Sequence, residues 1–204
     1  MEKFIDLSKE LIEKQNQKDD REFGKYYVSE LWGIVNGYKT IDDVLNGEKL
    51  DLTSSYKTIK GTIWHEVIQS LLDAKCYEIE KRIEIPVNDE IKLVGKIDIY
   101  DKLNNEVWEL KTSDEVMEKP KSWHKYQVKM YLSMVEAEKG YIFQPVIKMN
   151  GKKIEKFGLF LLGEVKRDNK FYAKQIEFLK QFHQKVKDYK LNKNCERKDN
   201  KQPI

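Results

Sequence analysis

Two acids and a lysine in the stretch VGKIDIYDKLNNEVWELKT, residues 94 to 112, have the types and spacing for metal-assisted hydrolysis. Asp98 lies in one run that alternates apolar and polar residues, Glu109 in the next, and Lys111 two residues beyond. If the polar segment DKLNN turns the chain between Leu103 and Asn104, Asp98 faces Glu109, while Ile97 faces Leu110 and Ile99 faces Trp108. The second set makes an apolar face for a core, which supports the register, because a slip of one residue would bury the acids among the isoleucines. Facing carboxylates have Cβ atoms about 4.5–5.5 Å apart and repel each other. A hard divalent cation such as Mg²⁺ offsets that cost, and Lys111, on the same side by the two-residue period of a strand, can orient or deprotonate a water beside it. The bland alternative is a solvent-face charge cluster in which Lys111 or Lys96 neutralises the acids.

The elements that must position these residues follow from the surrounding pattern. Residues 2 to 18 read as a helix, and 25 to 50 are mixed, broken by Gly33, Gly37 and Gly47. IKGTIWHEVIQSLLDAK spaces Ile63, Trp64, Val67, Ile68, Leu71 and Leu72 as a buried helix. Three strand-like runs follow, YEIEKRIEIPV, IKLVGKIDIY and NEVWELKT. A helix over about 120–138 is opened by Pro120, and the runs YIFQPVIKM and KFGLFLL flank a turn at Asn150-Gly151. A last amphipathic helix carries Tyr172, Ile176, Leu179, Phe182, Val186 and Tyr189 as its stripe. The expected organisation is one domain over 1–191 with a loose polar tail over 192–204.

Composition narrows the class. With 36% charged and 40% hydrophobic residues, the 204-residue chain reads as a globular protein with no membrane span, and a cytoplasmic location is expected. Two cysteines, Cys76 and Cys195, are too few for a disulfide framework. The net charge is only +3, but residues 166 to 204 hold twelve Lys/Arg against five Asp/Glu, and Lys119, Lys121, Lys125 and Lys129 form a second cluster. Such patches attract phosphates, although a solvated Lys-rich face accounts for the charge alone equally well.

His65 stands in GTIWHEV, upstream of the acids, and Gln127 and Tyr131 stand four apart in HKYQVKMY, downstream of them. Taken singly these residues suit a core histidine and a half-exposed helix face. Together the order G-x-x-x-H, G-x-x-D, E-x-K and Q-x-x-x-Y resembles the RecB-like branch of the PD-(D/E)XK nuclease superfamily, in particular the CRISPR-associated Cas-four exonucleases and their viral and phage relatives. The likeness spans roughly residues 26 to 162. It implies an α/β (α+β) restriction-endonuclease-like core, an αβββαβ mixed central sheet flanked by helices. It also implies metal ligation by His65, Asp98, Glu109 and the Leu110 carbonyl, with Mg²⁺ or Mn²⁺ as the ion. Lys111 would then serve the attacking water, Gln127 and Tyr131 would support the lysine or hold the strand, and Glu80 would assist a second metal. Ser29, in YVSELW, matches an early family motif. Ile97 stands where the superfamily's name has proline, which relatives with G-x-x-D often lack.

The chain departs from the Cas-four pattern in its cysteines. The one early and three late cysteines of an iron–sulphur site are not found, so no cluster is expected. The implied activity is a metal-dependent deoxyribonuclease, an exonuclease or single-strand nuclease of viral, phage or plasmid replication, recombination or repair. DNA, as single strands or duplex ends, would be the partner, held by Lys119, Lys121, Lys125 and Lys129, with Trp123, Tyr126 or Trp32 stacking on bases. A homo-oligomer, or partner proteins of recombination or replication, fits the same reading. The alternative is a nucleic-acid-binding or adaptor subunit of a CRISPR-adaptation or recombination complex. A sequence-specific restriction enzyme shares the core but usually needs more recognition apparatus.

Overall fold

A computed structural model describes residues 22–46, 61, 65–113, 116–150 and 153–199. Six strands form one mixed sheet: β1 (Lys25–Tyr27), β2 (Tyr77–Pro86), β3 (Lys92–Asp101), β4 (Glu106–Leu110), β5 (Lys139–Asn150) and β6 (Lys153–Lys166). The helices are α1 (Val28–Val35), α2 (Ile41–Asn46), α3 (65–70), α4 (Ser122–Met134) and α5 (Asn169–Asp199).

Strand β3 is the axis of the sheet. Antiparallel β2 borders it along one side, and on the other side parallel β1 pairs with its start and antiparallel β4 with its end. β4 then pairs in parallel with β5, and β5 antiparallel with β6. The parallel step from β4 to β5 needs a crossover, and α4 supplies it. Its Val128, Met130, Tyr131 and Leu132 are buried with Leu31 and Ile34 of α1, Val107 and Ile142 of the sheet, and Leu179 of α5. With helices packed on it, β3 has few exposed positions, and Leu93, Ile97 and Ile99 are fully buried.

The expected hairpin register holds where the ladder is formed: Ile99 pairs with Trp108, Tyr100 with Val107 and Asp101 with Glu106. Asp101 fixes the turn, since its carboxylate accepts the N–H groups of Leu103 and Asn104 at 2.9 and 3.1 Å. The apolar face is present, with Ile97, Ile99 and Leu110 buried and Trp108 against Tyr77 and Phe143.

Several expectations change. The helix around His65 is not buried where it is described: Val67 is 48% exposed and Leu71 80%, and helical pairing stops at residue 70. Its apolar spacing therefore does not mark a core face, and Ile63 and Trp64 lie outside the described residues. So do the 2–18 helix and the Gly151 end of the β5–β6 turn. The described part of the mixed stretch, 25–46, resolves into β1, α1 and α2. α5 runs Asn169–Asp199, and Leu179 and Val186 of its apolar stripe are fully buried. No helix among the described residues is long and apolar enough to cross a membrane.

Candidate active site

Strands β3 and β4 diverge just past the Ile99–Trp108 pair, where their ladder ends. The N–H of Leu110 donates to Asp98 Oδ2 at 2.8 Å, and the N–H of Lys111 donates to the Phe143 carbonyl of β5 at 2.8 Å. The divergence opens a notch with Asp98 on one wall and Glu109 on the other. Leu110 brings only its backbone to the notch, because its side chain is in the core.

Glu109 is buried, and its two oxygens differ. Oε1 accepts the Lys111 ammonium at 2.6 Å, while Oε2, among the described residues, has no hydrogen-bond partner. A buried acceptor without a donor carries a desolvation cost of about 1–3 kcal/mol, more when charged. Burial pushes the Glu109 carboxyl up to about 7, repulsion from Asp98 adds to this, and Lys111 opposes it. Lys111 also donates to Gln127 Oε1 at 2.9 Å, and Gln127 Nε2 donates to the Tyr131 hydroxyl at 2.8 Å. Gln127 and Tyr131 thus hold the ammonium from α4. Tyr131 is in turn packed against Gly95, where a Cβ would stand 3.0 Å from the ring's Cε1 and 3.2 Å from the Met134 methyl. That contact explains the glycine of G-x-x-D: the ring occupies the space a side chain would take.

The other wall gathers His65, Glu80 and Asp98. One ligand atom from each lies within 4.8 Å of the others. His65 Nδ1 is 3.6 Å from Asp98 Oδ1 and 3.9 Å from Glu80 Oε1. Glu80 reaches the group through a break in the β2–β3 ladder, where it adopts φ +54 between the paired Ile79 and Lys81. Such a backbone costs of order 1–3 kcal/mol in a non-glycine residue and is over-represented at functional sites. Gln69, four residues after His65, donates to Glu80 Oε1 at 3.2 Å and to the Asp98 carbonyl at 3.1 Å, and Lys96 pairs with Glu80. Imidazole plus carboxylates, together with the orphaned Glu109 oxygen, suits a hard or borderline divalent cation.

Gln69 was not read from the sequence. Its signal is its i, i+4 spacing from His65 on one helix. His124 was also missed; it is buried, and its Nδ1 accepts the Lys121 N–H at 3.2 Å to close the start of α4. Burial, then Lys111 and Lys121, push its imidazole down to about 3.

The candidate DNA-binding residues separate. Lys119, Lys121 and Lys125 are exposed, whereas Lys129 is paired with Asp168 at 3.2 Å and sits 5.0 Å from the Phe171 ring. Lys125 and Lys129 share a cleft of about 470 Å³ with Lys166, Arg167 and Lys170, so the two basic clusters of the sequence meet there. Trp123 is 40% exposed, with its ring 5.0 Å from Lys111 Nζ. Tyr126 is 4% exposed, with its hydroxyl donated to Gln175 and its ring edge-on to Trp32 and Phe171, so most of its ring packs in the core.

No protein-family model matches the chain, and no curated protein sequence does. Solved structures do. The protein SSO0001 is 22% identical, with a TM-score of 0.57 over 86% of this chain and 84% of its own. A phage-related exonuclease from Haemophilus somnus 129PT is 13% identical, with a TM-score of 0.57 over 83% of this chain and 96% of its own. The alkaline exonuclease LHK-Exo of Laribacter hongkongensis, also solved with dAMP, is 13% identical, with a TM-score of 0.60 over 85% of this chain and 95% of its own. The chain therefore shares the fold of phage-related and alkaline exonucleases, as expected from the ordered motifs of the RecB-like PD-(D/E)XK branch.

Proposed function

We infer that the protein is a metal-dependent nuclease that hydrolyses DNA phosphodiester bonds, acting as an exonuclease or single-strand nuclease. The observation that carries this reading is the buried Glu109 Oε2 beside Asp98, without a hydrogen-bond partner among the described residues, with the Lys111 ammonium held between Glu109 and Gln127. A surface charge cluster would have no reason to bury an acid and leave one of its oxygens unsatisfied. The exonuclease names among the structural neighbours support the same reading.

Asp98 and Glu109 would hold Mg²⁺ or Mn²⁺, with His65, Glu80 and the Leu110 carbonyl as further donors. The ion would supply Lewis-acid polarisation of the phosphodiester and charge neutralisation in the transition state. Lys111 would orient the attacking water by donating a hydrogen bond to it, while the Gln127–Tyr131 pair holds the ammonium in place. The exposed lysines at 119, 121 and 125 would carry the DNA backbone. Incubation with end-labelled single- and double-stranded DNA, with Mn²⁺ or with chelator, tests the reading. Metal-dependent cleavage is expected; tight binding without cleavage under every condition would favour the adaptor reading instead.

A further inference from the structure

A cavity of about 630 Å³ lies between α1 and α4, lined by Ser29, Trp32, Tyr38, Lys39, Trp123 and Gln127 among others. It is continuous with the candidate active site through two residues. Gln127 accepts the Lys111 ammonium at 2.9 Å, and the Trp123 ring lies 5.0 Å from the same nitrogen. Its volume falls within the roughly 300–1,000 Å³ of small-molecule sites.

The lining chemistry selects the occupant. Four aromatic side chains border the cavity, Trp32, Tyr38, Trp123 and the largely buried Tyr126, and Tyr38 is 77% exposed although its backbone N–H is pinned to the Gly33 carbonyl at 2.8 Å. Exposed rings on an anchored backbone suit a flat partner. The charge is balanced: Lys39 lies 3.5 Å from Glu30, and Asp43 adds a carboxylate to the wall. A phosphate needs a cationic wall, so this one favours an uncharged π-surface with polar edges, for which Ser29 and Gln127 offer hydrogen bonds.

We propose that the cavity takes one unstacked nucleobase of the strand being cut, from the nucleotide next to the phosphate at Lys111. This rests on the nuclease reading above and adds a substrate class to it. In a duplex each base face is covered by its neighbours, so only a single strand, or an end that has opened, presents a base to these rings. Stacking is tolerant of sequence, because every base has a π-face. The protein accordingly acts on unpaired DNA without regard to base identity.

The test uses the full chain with Mn²⁺ and end-labelled single strands that carry one abasic residue at each successive position. Cleavage at the bond whose neighbouring base is missing should slow roughly 5- to 150-fold. Trp123→Ala and Tyr38→Ala replace exposed rings and should keep the wild-type melting temperature. Trp123→Ala should slow cleavage of the intact strand and abolish the discrimination against the abasic one, since the two losses remove a single contact. A blunt duplex should be cut more slowly than a single strand or an unpaired tail. Equal cleavage of intact and abasic strands, additive losses, or a blunt duplex cut as fast as a single strand would each overturn the proposal.

A binding arm separates this failure from failure of the nuclease reading. With chelator in place of metal, the affinity of Asp98→Asn for the same strands, read by fluorescence anisotropy, should show the same abasic penalty and the same loss of it when Trp123→Ala is added. If no DNA is cut by any form, the nuclease reading fails, yet the anisotropy still decides whether the cavity takes a base.

Discussion

Asp98 divides its two oxygens between two elements: Oδ2 accepts the Leu110 N–H at 2.8 Å, and Oδ1 faces His65 Nδ1 at 3.6 Å. The first contact stands in for the ladder bond that β3 and β4 stop making, and the second leaves an oxygen turned toward the other candidate ligands. Asp98 thereby both opens the notch and supplies its charge.

Substitution of this acid should separate stability from activity. Asp98→Asn keeps an oxygen acceptor for Leu110 while removing the repulsion with Glu109. The metal-free melting temperature should equal or exceed that of the wild type, whereas the rise on adding Mn²⁺ and the cleavage activity should both be lost. An unchanged Mn²⁺-induced rise would place the ion elsewhere.

Lys111→Ala should behave in the opposite way. Glu109 loses the donor at 2.6 Å, so the metal-free protein should melt lower at pH 8, while Mn²⁺ still raises the melting temperature. Cleavage should fall about 10²-fold or more, the scale for loss of a group that positions the attacking water. Full activity in this variant would refute the proposed role of the lysine.

Gly95→Ala probes the support behind the lysine. Its methyl would meet the Tyr131 ring at 3.0 Å in a packed core, and overpacking of this kind costs about 1–3 kcal/mol. The Gln127–Tyr131 bond should be displaced with the ring, so kcat should drop at temperatures where the variant remains folded. A variant that loses stability but retains kcat would show that Tyr131 serves packing alone.

His124 sets a pH dependence. Its folded value of about 3 lies below the ordinary 6.5 of an exposed imidazole. The unfolded chain therefore binds the proton first, and the stability due to neutral His124 is present above about pH 6.5 and lost as pH falls toward 3. The wild-type melting temperature should fall more steeply than that of His124→Asn across this window; parallel curves would disprove the assignment.

Removal of charge at Lys119, Lys121 and Lys125 should flatten the plot of log DNA affinity against log salt by up to about 0.7 per lost phosphate contact on single strands. Adding Lys129→Ala should change the slope least, because that ammonium is paired with Asp168. An unaltered slope in the triple variant would move the DNA path to α5.

Features that depend on local period and turn chemistry were legible in the order of the residues. The alternation of Ile97, Asp98 and Ile99 against Trp108, Glu109 and Leu110 admits one register that buries the isoleucines, and the ladder has that register. The Gln127–Tyr131 spacing put both side chains on one helical face, where they meet at 2.8 Å. Burial, and contact between distant elements, emerged only once the chain was folded. Tyr126 and Trp123 are three residues apart on α4, yet α5 packs over the first and leaves the second open, because burial depends on what docks against a helix. The exposed Val67 and Leu71 kept their helical spacing but are not packed into the core. Glu80 joined His65 and Asp98 through a backbone at φ +54, a conformation that glutamate's own preferences argue against and that only the surrounding strands can enforce.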